Sequence, residues 1–92
     1  MLRAQLIIGT LLLGGCVTAP PVQEMSDARQ AINAAAQAGD RVSADTLADA
    51  RRLLEEAERL IQQEAYGPAR MNAVRAKNRA MAALRSSEDA RN

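Results

Sequence analysis

"LADARRLLEEAERLIQQEAYGPARMNAVRAKNRAMAAL" fills residues 47–84 and carries two apolar stripes at helical spacing with one break between them. In its first half Leu47, Ala50, Leu53, Leu54, Ala57, Leu60 and Ile61 recur three and four residues apart, while Asp49, Arg52, Glu56, Arg59 and Gln63 fall on the opposite side. That is the pattern of an amphipathic helix with one face turned inward. Ser43 or Thr46 is placed to cap its start, and Thr46 with Asp49 fits the [ST]-x-x-[DE] capping pattern. Arg51 with Glu55, Arg52 with Glu56 and Glu55 with Arg59 stand four apart, the spacing at which opposite charges support an exposed helix face. The break is "EAYGPAR": Gly67 suits the left-handed conformation that ends a helix, and Pro68 suits the first turn of the next. Beyond it Ala69, Ala73, Ala76, Ala80 and Ala83 form one narrow stripe of small side chains, which lets another backbone come close. The two halves therefore read as a helical hairpin. Residues 45–64 hold six acids and three arginines, whereas residues 68–87 hold Arg70, Arg75, Lys77, Arg79 and Arg85 with no acid. Opposed signs favour packing these two helices together, although exposed pairs are individually weak.

Upstream, Met25, Ala28, Ala31, Ile32, Ala35 and Ala38 repeat at the same spacing and predict another helix over residues 22–38. Ser26 or the residues after Pro21 are its candidate caps, and Gly39-Asp40 its stop. Pro20 and Pro21 make residues 17–23 an extended spacer, about 20 Å long at roughly 3.1 Å per residue. The expected fold is all-α: a small antiparallel helical hairpin or three-helix bundle over residues 24–88, with residues 89–92 as a tail.

The core of such a fold is thin. Over residues 24–88 the apolar residues are mostly alanine, and the chain has no Phe, no Trp and one Tyr (Tyr66). Small chains of this kind often depend on disulfides, metals or association. A single cysteine, Cys16, makes no internal disulfide, and there is no histidine.

The position of that cysteine carries more than its chemistry alone. Arg3, a nearly continuous apolar stretch over residues 6–13 and two glycines form the n-region, h-region and small-residue junction of a secretory signal peptide. The stretch is too short for a typical membrane span of about 20 residues. Leu13-Gly14-Gly15-Cys16 resembles the lipobox of bacterial lipoproteins. The resemblance implies cleavage after Gly15, a diacylglycerol thioether on Cys16 and acylation, such as by palmitate, of the new amino group. One acyl chain binds a bilayer only marginally; two or three anchor it stably. Val17 and Thr18 bring no Asp directly after the cysteine. By the same resemblance the chain is expected on the outer membrane, facing the periplasm. Cys16 is then taken up by lipid and serves neither catalysis nor metal binding.

From Leu53 to Ala83 the hairpin is similar to one tetratricopeptide-type repeat, with Ala57, Leu60, Tyr66, Ala69 and Ala76 at its small, large, aromatic, small and small positions. Leu53 replaces the usual early aromatic and Glu64 a common glycine. One repeat does not build a solenoid groove. As a whole, the lipobox, Pro-Pro spacer, alanine-rich first helix and hairpin resemble the short bacterial lipoproteins of the family called domain of unknown function 4398. That family implies a helical periplasmic domain on a lipid anchor and assigns no activity to particular residues.

Catalysis requires a nucleophile with a base, a perturbed acid pair or a bound metal in a pocket. With no His, Cys16 taken by lipid and the acids on polar helix faces, the expectation is a non-enzyme with no cofactor, no metal and no small-molecule substrate. No aromatic residues stand among the basic ones to stack bases, so nucleic acid is not an expected partner. Arg75 and Arg79 share one flank of the last helix and are candidate contacts for an anionic polymer or headgroups. Val74, Met81 and Leu84 border the alanine stripe. They either cover the first helix, completing a bundle, or form a strip for a protein partner or another copy of the chain. The function expected is that of a structural or adaptor component of the cell envelope, the alternative being a module that contacts an anionic polymer through its last helix.

Overall fold

The computed structural model describes residues 19–91. Leu13, Gly14, Gly15 and Cys16 lie outside the described residues. Three α-helices follow one another: α1 (Val22–Gln37), α2 (Ala44–Gln62) and α3 (Tyr66–Arg91), with a 3-10 turn at Gly39–Arg41 between the first two. No strand occurs among the described residues. The fold is an all-α three-helix bundle in which α2 runs antiparallel to both neighbours.

Pro21 is fully buried, and its carbonyl accepts the Met25 N–H at 3.0 Å. Helix α1 therefore starts at Val22, inside the stretch read as spacer, because a proline has its φ preset for helix entry. Ser26 lies within the helix and caps nothing; Pro21 is the N-cap, without a side-chain hydrogen bond. The exit is as expected. Gly39 takes a φ of 65°, open to a glycine at no steric cost, and its carbonyl accepts the Val42 N–H at 3.2 Å. Val42 turns inward and closes that end of the bundle.

Ser43 caps α2: its Oγ accepts the Thr46 N–H at 3.3 Å. The Thr46–Asp49 capping pair does not form, since Thr46 lies inside the helix and the Asp49 carboxylate accepts from arginines instead. The charge pairs along α2 are also three apart rather than four, joining Asp49 to Arg52 and Glu56 to Arg59.

The turn between α2 and α3 departs from the sequence reading in one residue. The Ala65 N–H donates to the Leu60 carbonyl and the Glu64 N–H to the Ile61 carbonyl, each at 2.9 Å. These are the two bonds of a Schellman motif, and the left-handed residue within it is Glu64, at φ 61°. Gly67 is not the helix stop. It belongs to the first turn of α3, where a side chain would meet nothing within 4 Å.

Helix α3 is the central element, packed extensively on α2 and on α1, while α1 and α2 touch each other less. Its stripe of Ala69, Ala73, Ala76, Ala80 and Ala83 is buried, facing the cleft between the other two helices. Small side chains allow both neighbours to approach, and the larger groups come from those neighbours. Ile32 of α1 sits in one cluster with Ala76, Ala80 and Ala83, bordered by Leu47, Leu53 and Leu54 of α2. Met25 sits with Ala57 and Ala73 nearer the chain's start, bordered by Ile61. The stripe continues to Ser87, buried and donating its hydroxyl to the Leu84 carbonyl at 2.7 Å. That continuation explains why α3 reaches Arg91, past the position 88 where the sequence reading ended the helical domain.

Candidate functional site: the outer face of the last helix

One exposed ion pair joins each two of the three helices. Arg79 of α3 reaches Asp49 of α2 at 2.8 Å, Arg29 of α1 reaches Glu58 of α2 at 3.2 Å, and Arg70 of α3 reaches Glu24 of α1 at 3.5 Å. The opposed charges of the hairpin thus meet at Asp49 and Arg79. Arg70 instead crosses to the first helix and places the start of α3 beside the start of α1.

Among the described residues Asp49 stands out, since two arginines converge on its carboxylate. Its carboxyl is held below the ordinary aspartate range, first by the hydrogen bond from Arg79 and then by that from Arg52 at 2.6 Å. The candidate anion contacts, Arg75 and Arg79, do lie together: both line a shallow hollow between α2 and α3 with Asp49, Arg52, Leu53 and Asn78. An anion entering that hollow meets the Asp49 carboxylate, already paired with Arg79. Arg75 has no ion-pair partner among the described residues, and the same is true of Lys77 on the opposite flank, beside Asp27 and Gln30 of α1. Among the described residues no cluster of His, Cys, Asp or Glu is placed to hold a metal ion. No described helix is long and apolar enough to cross a membrane.

The three residues bordering the alanine stripe divide. Leu84 packs against the core cluster that all three helices share. Val74 and Met81 remain 36% and 41% exposed, although Met81 lies beside Ala31 at the edge of α1. Met71, which the sequence reading passed over, is 57% exposed. Its signal was present: it stands three residues before Val74 and ten before Met81, an interval that keeps all three on one side of a helix. Met71, Val74 and Met81 thus make an apolar line on the side of α3 away from the buried alanines, with Asn78 in the line and basic residues on both flanks.

No protein-family model matches the chain, and neither a curated protein nor a solved structure matches it significantly. The likeness to short lipoproteins rests on the residues quoted for it.

Proposed function

We propose that this chain is a lipid-anchored structural or adaptor component of a bacterial cell envelope, held at the periplasmic face of the outer membrane and acting by helix packing, without catalysis. Arg3, the apolar stretch and the Leu13-Gly14-Gly15-Cys16 junction support the anchor. Five residues separate Cys16 from Val22, where α1 begins, and at no more than about 3.5 Å each they keep the bundle close to the bilayer. The observation that carries the adaptor role is the exposed line of Met71, Val74 and Met81 on a helix whose opposite side is already fully used. A core of alanines with Met25, Ile32 and Val42, bordered by leucines, fits a packing role better than a chemical one. The competing reading, an anionic polymer gripped by Arg75 and Arg79, is favoured less because Arg79 is engaged by Asp49.

Two measurements in cells test this. Mass spectrometry of the native chain should find an acylated N-terminal cysteine at position 16, and Cys16→Ser should release the chain from membranes. A photo-crosslinking amino acid at position 71 or 81 should capture an envelope protein that the same probe at Ala48, exposed on α2, does not. An unmodified thiol, or identical capture from all three positions, overturns the reading.

A further inference from the structure

The exposed line on α3 has the spacing of a coiled-coil seam. Starting at Met71, the intervals run three, four, three, four through Val74, Asn78, Met81 and Arg85. Met71, Asn78 and Arg85 then occupy heptad positions a, and Val74 and Met81 positions d. The flanking e positions hold Arg75 and Ala82, and the g positions Arg70, Lys77 and Leu84, the last turned into the core. Arg75 and Lys77 carry no ion pair among the described residues. A polar Asn at one a position fixes register and partner number in such seams, and e and g charges select the partner.

We propose that the outer face of α3 docks an amphipathic helix of a different protein, apolar at its a and d positions and acidic at its e and g positions. This rests on the adaptor reading above and names the partner's chemistry. Charge complementarity decides the occupant. A second copy laid helix to helix on this face sets basic e and g residues against one another: Arg75 against Arg70 when parallel, and Arg75 and Lys77 against their own copies when antiparallel and centred on the seam. Its other surfaces offer no matching seam, because apart from this line the only large apolar side chain exposed among the described residues is Val22. A lipid surface favours a broad face with Trp, Phe or Leu; this line is narrow, has none of the three and is interrupted by Asn78. Arg70 and Glu24 place the Met71 end of the seam where the chain begins its first helix. The seam therefore begins near the proposed anchor and runs away from it.

The test uses the full chain in mild non-ionic detergent and two fluorescent peptides of three heptads. Both carry Leu at d and Ile at a, with Asn at the central a. One has Glu at every e and g position, the other Lys. At low ionic strength the Glu peptide should bind at least about tenfold more tightly than the Lys peptide, the sum of a few exposed pairs. Arg75→Glu with Lys77→Glu should reverse the preference. Val74→Asp with Met81→Asp, both at exposed positions, should abolish binding while helix content stays unchanged. Equal binding of the two peptides, a preference that survives the charge reversal, or binding of neither overturns the proposal. So does self-association, or sedimentation with phosphatidylglycerol vesicles, that disappears in the Val74→Asp, Met81→Asp chain. If neither peptide binds while probes at 71 and 81 still capture an envelope protein, the acidic helix is wrong and the adaptor role stands.

Discussion

Asp49 accepts hydrogen bonds from two arginines, one on its own helix and one across the bundle: Arg52 at 2.6 Å and Arg79 at 2.8 Å. Both bonds favour the ionised carboxylate, so its pKa in the folded chain lies below the value in the unfolded chain. A lowered pKa means that the unfolded state takes up the proton first as pH falls. The stabilisation is complete above the ordinary aspartate value of about 3.9 and is lost as pH drops through the lower, folded value. Urea unfolding at pH 7 and pH 3 should therefore show a smaller acid loss for Asp49→Asn than for the native chain. Arg79→Ala should fall between the two, because Arg52 remains. An acid loss in Asp49→Asn equal to that of the native chain would contradict the pairing.

The turn at Glu64 can be improved. A non-glycine residue in the left-handed region bears a steric cost between its Cβ and the following carbonyl. Glu64→Gly relieves that cost at the price of greater freedom in the unfolded chain, a net gain of about 0.5 kcal/mol. Gly67, three residues on, has the opposite character: it is helical, and a methyl group there meets nothing within 4 Å. Gly67→Ala should stabilise by about 0.5–1 kcal/mol. Were the sequence reading of the turn right, with Gly67 as the left-handed stop, Gly67→Ala would destabilise. The sign of that one substitution, read from a urea midpoint, separates the two turns.

These residues also mark what was legible beforehand. Helix α2 was, because Leu47, Leu53, Leu54, Leu60 and Ile61 impose the helical period with large side chains. The hairpin followed from "EAYGPAR", but its hydrogen-bonded register did not. Glycine is the sequence sign of a left-handed residue, and here Glu64 occupies the site while a glycine stands close by. The end of α3 was hidden in "DARN", residues 89–92, which reads as a polar tail; only the packed bundle shows Ser87 extending the alanine stripe one further turn and carrying the helix past it. At the outer face, Val74 and Met81 were identified, whereas Leu84, bordering the same stripe, turned into the core. A helical wheel places residues by angle, and which angle is covered depends on where α1 comes to rest.

The alanine stripe makes closeness of approach the source of stability, with steric consequences. Ala76 and Ala80 are fully buried between α1 and α2. Ala80→Leu adds three carbons where there is no room, and should destabilise by about 1–3 kcal/mol through displaced neighbours. Ala34, exposed on α1, tolerates the same change within about 0.5 kcal/mol. Thermal unfolding of the two variants should therefore separate clearly. Equal effects would mean that α3 does not face the cleft.

Ile32 tests whether the first helix belongs to the folded unit. Of the two large apolar side chains of α1 that are buried, Met25 lies in one cluster and Ile32 in the other, against Ala76, Ala80 and Ala83 of α3. The ion pairs joining α1 to its neighbours, Arg29 with Glu58 and Arg70 with Glu24, are exposed and contribute little. Docking of α1 therefore rests on burial. Ile32→Ala removes most of a buried side chain and leaves a void that alanine-lined walls cannot fill, a loss of about 2–4 kcal/mol. In a bundle this small that is a large share of total stability, which is on the order of 5 kcal/mol. The expected result is a single cooperative transition at a much lower urea midpoint, with amide exchange in α1 and α3 accelerated together. Exchange that accelerates in α1 alone, leaving α2 and α3 protected, would show instead that the hairpin folds by itself and α1 merely rests on it.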